Sequence, residues 1–188
     1  LGGQIASPLI TVVDDPLLEN GAASTPFDAE GVPTQRKNVI EAGRLNTYLY
    51  NLKTAKKDGV SSTGNASRAS YKSPVGIAPT NFFVQPGESS YEELVETLGD
   101  GIVIIDVQGT HSGANTVSGD FSLSAYGYLV ENGKITRPVD QITIAGNFFE
   151  LLESVEAVGA DLMFVNPGSA GNVGSPSLII SHLAIAGI

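Results

Sequence analysis

Residues 121–138 read FSLSAYGYLVENGKITRP, and this stretch decides the fold. From Phe121 to Leu129 every second residue is apolar or small, and most of the residues between them are polar. A period of two residues is typical of a β-strand that buries one face. Asn132-Gly133 follows, the dipeptide that favours a two-residue hairpin turn. The stretch therefore predicts a strand over 121–130 that enters an antiparallel hairpin.

A second hairpin is predicted from NVIEAGRLNTYLYN at 38–51. Its turn is Glu41-Ala42-Gly43, where Gly43 supplies the positive φ that a tight turn requires. The segments IEAGRL at 40–45 and VENGKI at 130–135 resemble each other. Two readings stay open: an internal pseudo-repeat, or the same turn chemistry used twice.

Two helices are predicted from capping signals. Ser89 with Glu92 forms a capping box for the first helix, which ends at Gly99. Asn147 caps the second helix, with Glu150 at the third helical position. The second helix is expected to reach Gly159 along an apolar stripe formed by Phe148, Leu151, Leu152, Val155 and Val158.

Further strands are predicted at 9–13, 81–84, 102–107, 141–144 and 177–180, and a long surface excursion occupies 19–36. Strands outnumber helices, and hairpins dominate. We therefore expect an α+β fold that is β-rich, with a mainly antiparallel curved sheet or barrel-like core and two packed helices. A length of 188 residues suits a single domain over 1–188. Because the chain opens with LGGQIASP rather than Met, we expect it to be a domain of a longer polypeptide, without that polypeptide's N-terminal part.

The net charge of −10 disfavours direct contact with nucleic acid. The basic cluster of Lys53, Lys56 and Lys57 is read as a solvated surface, with a phosphate contact as the alternative. The apolar runs are of strand length, so no membrane span is expected.

Metal chemistry has few candidate ligands. The chain has no cysteine and two histidines, His111 and His182, and neither has a partner at helical spacing. A cluster of Asp106, His111 and Asp120 is one reading. The others are that His111 stabilises a turn by bonding backbone, or that it contacts a partner. The Gly-rich stretches lack the nucleophile-elbow and phosphate-loop patterns.

Several segments together carry a family resemblance. They are EGVPTQR at 30–36, TGNA at 63–66, GANTVSGDFS at 113–122, VENGKI at 130–135, IAGN at 144–147 and VGADL at 158–162. In this order they resemble the C-terminal domain of the TldD/PmbA family, also called TldD/TldE or modulator of DNA gyrase.

The resemblance implies a cytoplasmic two-subunit zinc protease that acts on peptides. Its TldD-type subunit binds zinc through a helical His-Glu-x-x-x-His motif in an earlier domain and a cysteine in a Gly-rich segment. Here that segment matches 168–171 (GSAG), with Ala170 at the cysteine position. The resemblance thus implies a non-catalytic PmbA/TldE-like subunit with no catalytic residue, metal ligand or cofactor of its own. The zinc is expected in a TldD-like partner, which forms a heterodimer with this subunit; self-association is the alternative.

Two rival functions stay open at this point: a peptide-binding or assembly module without a protease partner, and a DNA gyrase-associated regulator. The residues expected to contact peptide or partner are His111, Ser112, Asn115, Ser118 and Asp120, followed by Gln35, Arg36 and Asn65. For Arg36, a buried ion pair is an equally open reading.

Overall fold

The computed structural model describes residues 1–165 and 172–187. Within them the strands are Val12–Asp14 (β1), Lys37–Glu41 (β2), Arg44–Leu45 (β3), Ala66–Ser67 (β4), Gly76–Ile77 (β5), Asn81–Val84 (β6), Gly101–Gln108 (β7), Asp120–Glu131 (β8), Lys134–Asn147 (β9), Val155–Val158 (β10), Met163–Val165 (β11), Asn172–Ser175 (β12), Leu178–Ile180 (β13) and Ala184–Ala186 (β14). The helices are Leu52–Asp58 (α1), Tyr91–Leu98 (α2), Thr110–Gly113 (α3) and Phe148–Glu153 (α4).

The chain divides into two compact units. Unit 1 comprises Leu1–Gln4, Ile10–Gln85 and Leu162–Pro176, and unit 2 comprises Ile5–Leu9, Pro86–Asp161 and Ser177–Ile188. The expectation of one domain over 1–188 stays a prediction.

Unit 1 is built on a six-stranded sheet in the order β11-β12-β6-β1-β2-β3. The β12–β6 pair is parallel, and the other pairs are antiparallel. Ile10 and Val13 are fully buried, and the rings of Phe83 and Phe164 meet edge to face with centroids 5.4 Å apart. Burying an aliphatic side chain such as that of Ile10 or Val13 contributes about 1.5–3 kcal/mol to the free energy of unfolding.

Unit 2 is built on an antiparallel sheet in the order β14-β9-β8-β7. Its core is a cluster on one face of the sheet, formed by Leu123, Ala125, Val139, Ile142 and Ile144. The strands carry bulges at 104–106, 125–127 and 129–130, and bulges increase the local twist of a sheet. The α+β class with mainly antiparallel sheets is confirmed. The sheets do not close into a barrel within the described residues, and four helices occur there instead of two.

Both predicted hairpin turns are confirmed. Ala42 and Gly43 have φ of 46° and 77°, and Asn132 and Gly133 have φ of 51° and 72°. Positive φ at both central positions defines the turn that matches the twist of the flanking strands. The strand alternation is confirmed up to Leu129. At Val130 the bulge turns the side chain inward, so that this residue is only 1% exposed.

The second predicted helix is too long. It begins after Asn147 as expected, but α4 ends at Glu153, and Val155–Val158 forms β10 against β13. Valine is β-branched and suits a strand, and the partner strand decides this segment in favour of pairing. Gly159 closes no helix; its N–H donates to the carbonyl of Ser177 at 2.8 Å.

Two other strand predictions were shifted. The strand predicted at 9–13 is β1, Val12–Asp14, and Leu9 is half-exposed in a turn before it. The segment predicted at 141–144 is the second half of the long strand β9, which continues through a positive φ of 55° at Gln141.

The predicted cap of the first helix was displaced by one residue. Ser90, not Ser89, accepts the N–H of Glu93 at 3.2 Å, and the Glu93 carboxylate accepts the N–H of Ser90 at 2.8 Å. Serines at both positions fit the sequence pattern, and only the backbone geometry at Ser90 completes the box.

We expect Ser90→Ala to lower the free energy of unfolding by about 1 kcal/mol, because one N-terminal amide of α2 loses its acceptor. Urea unfolding followed by circular dichroism measures this loss. Ser89→Ala is the matched control and is expected to change it by less than about 0.5 kcal/mol. Equal losses in the two variants would contradict the assignment of the cap.

Candidate functional site

The candidate site is the loop between β7 and β8, residues 109–119, together with the start of β8. The loop begins with Gly109 in the left-handed region, followed by the single helical turn α3. The amides of Ser112 and Gly113 donate to the carbonyl of Gly109 at 3.0 and 2.8 Å. His111 and Ser112 are therefore held on a hydrogen-bonded turn, with both side chains exposed to solvent.

Asn115 closes the second half of the loop. Its Oδ1 accepts the backbone N–H groups of Val117 at 2.9 Å and Ser118 at 3.1 Å. Its own N–H donates to the carbonyl of Asp120 at 2.8 Å, and its carbonyl accepts the N–H of Gly119 at 2.8 Å. These bonds explain an asparagine at this position, because a short amide side chain can bond its own backbone two residues on.

Asp120, the first residue of β8, has a carboxylate held by two neutral donors. Asn147 Nδ2 donates to Oδ1 at 2.9 Å, and Ser118 Oγ donates to Oδ2 at 2.8 Å. The hydrogen bond from Asn147, and then that from Ser118, lower the pKa of the Asp120 carboxyl below its ordinary value of 3.8, and desolvation opposes them. Asp120 is thus an exposed, ionised acceptor with a fixed orientation.

Asn147 connects this carboxylate to α4. Its Oδ1 accepts the N–H of Phe149 at 2.9 Å and so caps the helix, while its Nδ2 also donates to the Ser118 carbonyl at 2.9 Å. One side chain therefore orients Asp120, the loop end and the helix start. Asp120 and Asn147 face each other because β8 and β9 pair in register at these residues.

An open cavity of about 650 Å³ lies against the loop. It is lined by Ser112, Gly113, Ala114, Asn115, Thr116, Asp120, Phe121 and Ser122. Three predicted contact residues, Ser112, Asn115 and Asp120, therefore share one cavity. His111 and Ser118 belong to the same loop but not to the cavity lining.

Apolar side chains are exposed beside the loop. Val117 is 88% exposed, and Phe148 and Phe149 of α4 are about half-exposed. The Phe149 ring lies directly against Gly119, where an added Cβ would be 2.7 Å from it. The sequence did not indicate these residues as surface groups; it placed Phe148 on the apolar stripe of a longer helix that packs on a sheet. Exposed aromatic side chains beside a polar cavity suit contact with another chain.

The remaining predicted residues belong to unit 1. Gln35 is exposed, and Arg36 Nε lies 3.4 Å from Asp15 Oδ2. The Arg36 side chain is half-exposed, so this ion pair is not a buried one. Asn65, by contrast, is only 2% exposed.

The Asn65 side chain supports a buried carboxylate. Its Nδ2 donates to Asp14 Oδ2 at 2.7 Å, and its Oδ1 accepts the Thr63 hydroxyl at 2.7 Å. Asp14 also binds Lys37 Nζ at 2.9 Å and accepts both the N–H and the hydroxyl of Thr80 at 2.7 Å. A cavity of about 290 Å³ in unit 1 is lined in part by Asn65 and Thr80. Asn65 Nδ2 also donates to the carbonyl of Ala78 at 3.2 Å, so the Asn65 amide is fully used within unit 1.

No three histidine, aspartate or glutamate side chains lie together as a metal-binding group in residues 1–165 and 172–187. His111 is on α3, and the Nδ1 of His182 lies 2.9 Å from the Ser181 hydroxyl. Ala170 lies outside the described residues. Lys53, Lys56 and Lys57 are exposed on α1, with the last two in its final turn, where cations favour the helix dipole. None of the described helices is long and apolar enough to cross a membrane.

Residues 1–187 match the family model described as the PmbA/TldA metallopeptidase C-terminal domain. The chain belongs to this family. Metalloprotease PmbA of Escherichia coli O157:H7 is 35% identical over 187 residues, which cover 100% of this chain and 38% of that protein. The Metalloprotease TldD homolog of Haemophilus influenzae is 34% identical over 200 residues, covering 100% of this chain and 40% of that protein.

Solved structures of PmbA/TldD-family proteins share the fold. TldE from Thermococcus kodakarensis superposes with a TM-score of 0.89 at 29% identity, covering 100% of this chain and 42% of that chain. A Thermotoga maritima protein described as a candidate modulator of a DNA gyrase has a TM-score of 0.89 at 45% identity, covering 99% and 41%. The chain thus spans about two fifths of the length of these relatives. The family resemblance read from the six sequence segments is confirmed.

Proposed function

We propose that this chain is the C-terminal domain of a non-catalytic PmbA/TldE-like subunit, which pairs with a TldD-like zinc peptidase subunit in a protease acting on peptides. The observation that carries the proposal is chemical. The chain belongs to a metallopeptidase family, yet it has no cysteine, and alanine stands at position 170, where the resemblance places the cysteine ligand. Because an alanine side chain has no lone pair to donate, zinc cannot use this position.

The relatives' names do not separate the two subunit types. The PmbA and TldD proteins are 35% and 34% identical to this chain. The likeness to TldE supports the assignment to the PmbA/TldE-like subunit. The assignment rests mainly on the lack of a cysteine, since alanine stands at position 170.

In this proposal the chain contributes a peptide-contacting wall. Loop 109–119 offers a side-chain amide at Asn115, and the start of β8 offers an ionised carboxylate at Asp120. The exposed Gln35 and Arg36 are proposed contacts with the partner subunit, while Asn65 serves to hold Asp14. Peptides bind through backbone polar groups when a surface presents fixed donors and acceptors to them.

The test is zinc content and peptidase activity of the full-length subunit, purified alone and after co-expression with its TldD-like partner. We expect no stoichiometric zinc and no cleavage of an unfolded peptide by the subunit alone. The co-purified assembly is expected to carry about one zinc per heterodimer and to cleave the peptide, because a catalytic zinc needs about three protein ligands, which the partner supplies.

The control is an assembly whose partner lacks the two helical zinc-binding histidines, and it should form but neither bind zinc nor cleave. Stoichiometric zinc and cleavage in the subunit alone would refute the non-catalytic assignment. If the two subunits do not co-purify, the alternative of a peptide-binding or assembly module without a protease partner gains support.

A further inference from the structure

The Asp120 carboxylate is a charged group without a cationic partner among the described residues. The two ion pairs found there are Arg36–Asp15 and Lys37–Asp14, both in unit 1. The donors on Asp120, Asn147 and Ser118, are neutral, so they orient the carboxylate without cancelling its charge. An exposed, preoriented anion beside a cavity is suited to a cationic group of a ligand, since little side-chain freedom remains to be lost on binding.

Hydrogen-bond donors in the same cavity indicate which chemical group of the ligand accompanies its cationic group. Oδ1 of Asn115 is occupied by the turn, whereas its Nδ2 donates to no group in the described part of the chain. Thr116 and Ser122, which carry hydroxyl groups, also line the cavity. Asn115 and Asp120 both line the cavity, so an amide donor and a carboxylate are available there to a ligand whose cation and carbonyl oxygen are close together.

We propose that this cavity binds the N-terminal ammonium group of an extended peptide, with Asp120 accepting from the ammonium and Asn115 Nδ2 donating to the first peptide carbonyl. The proposal rests on the proposed function, and it names which end of the substrate this subunit holds. In a peptide the α-ammonium lies two bonds from the first carbonyl carbon, which suits an acceptor and a donor that line the same cavity.

Two other cations are less suited to the cavity. The ε-ammonium of a lysine side chain is separated from its nearest carbonyl by four methylene groups, so it cannot use both side chains in the same compact way. A divalent metal ion requires more oxygen ligands than one carboxylate, and no three acidic or histidine side chains come together in the described residues.

The half-exposed Phe149, whose ring lies against Gly119, and the exposed Val117 place apolar surface at the loop that lines the cavity. A peptide bound by its N-terminus would pass its first side chains over these residues. Apolar residues near the peptide N-terminus are therefore expected to bind better than charged ones.

The test compares three peptides on the full-length subunit by isothermal titration calorimetry. They are tetra-alanine amide with a free N-terminus, its N-acetylated form, and an N-acetylated peptide of the same length that ends in lysine amide. We expect the free-amine peptide to bind about three- to tenfold more tightly than both acetylated peptides, the range expected for a solvent-accessible charge-assisted hydrogen bond. Equal binding of the lysine peptide and the free-amine peptide would show a general cation site and overturn the N-terminal assignment.

Asp120→Asn is expected to abolish the preference, because it removes the charge and keeps the shape of the side chain. Glu156→Gln removes an equal charge from an exposed position on β10 and is the matched control, in which the preference should persist. The wild-type comparison needs no variant, so the proposal stays testable if Asp120→Asn destabilises the loop. No difference between free and acetylated peptides on the wild-type subunit would refute it.

The same peptides are then used as competitors of cleavage by the assembled protease. If the assembly cleaves but acetylation has no effect on competition, the inference fails and the proposed function stands. If the subunit binds free-amine peptides selectively but never associates with a zinc peptidase, the proposed function fails and the ammonium site stands.

Discussion

Replacing Asp14 by alanine is expected to lower the free energy of unfolding by about 4 kcal/mol, within the range for breaking a buried ion pair from one side. The Asp14 side chain is fully buried, and that of Lys37 is only 10% exposed. After the substitution the Lys37 ammonium would be left in the interior without its counter-charge. The donors on Asn65 and Thr80 would also lose their acceptor, and each unsatisfied buried donor adds its own desolvation cost.

The measurement is urea unfolding of wild type and variant, followed by circular dichroism. Glu19→Ala, which removes an exposed acid from the same unit, is the control and should change the free energy of unfolding by less than about 0.5 kcal/mol. Asp14→Asn should fall between the two, since the amide oxygen still accepts hydrogen bonds but the charge is gone. A loss below about 1 kcal/mol for Asp14→Ala would show that water or rearrangement satisfies Lys37.

Gly127→Ala is expected to have the next largest effect, a loss of about 3 kcal/mol from overpacking. Gly127 lies in the middle of β8, opposite Ile104 on β7 and Val139 on β9. A Cβ on Gly127 would lie 1.8 Å from the carbonyl oxygen of Val103, which is far inside van der Waals contact. Since the obstructing atom is strand backbone, it can give way only if β7 separates from β8.

Gly3→Ala is the control for this substitution. A Cβ at Gly3 meets no atom within 4 Å, and neither glycine has a positive φ, so the comparison isolates the steric clash. Thermal unfolding should show a large decrease in Tm for Gly127→Ala and almost none for Gly3→Ala. A similar Tm for both variants would mean that β7 and β8 are not packed as closely as described. Because β8 carries Asp120, the variant is also expected to weaken peptide binding.

Features that depend on neighbouring residues were predictable from the sequence. The turn at Asn132-Gly133 was confirmed because few residue pairs adopt positive φ without strain. The start of α4 was confirmed because the Asn147 side chain bonds an amide only two residues away. The predicted end of α4 was wrong because the choice between helix and strand at Val155–Val158 depends on β13, Leu178–Ile180, a distant segment of the chain.

In the candidate site, too, features set by nearby residues were predictable from the sequence and contacts between distant residues were not. The sequence pointed to loop 109–119 and to Asp120 through its glycines and polar side chains. It gave no sign of Asn147 as the residue that orients Asp120, because the two are 27 positions apart. Likewise, nothing near Asn65 indicated that its amide is used by Asp14, 51 positions away.

The sequence by itself determined the α+β class, the two hairpin turns, the family and the absence of a cysteine ligand, since each is fixed by local chemistry or by residue identity. Only the tertiary structure decided which residues face each other. β8 and β9 run from the turn at Asn132-Gly133 to the pair Asp120 and Asn147, and bulges along the way shift the register. Each one-residue shift would turn the side chains to the other face of the sheet. The register, set by the packing of the whole sheet, therefore places Asn147 against Asp120 and gives the carboxylate its fixed orientation.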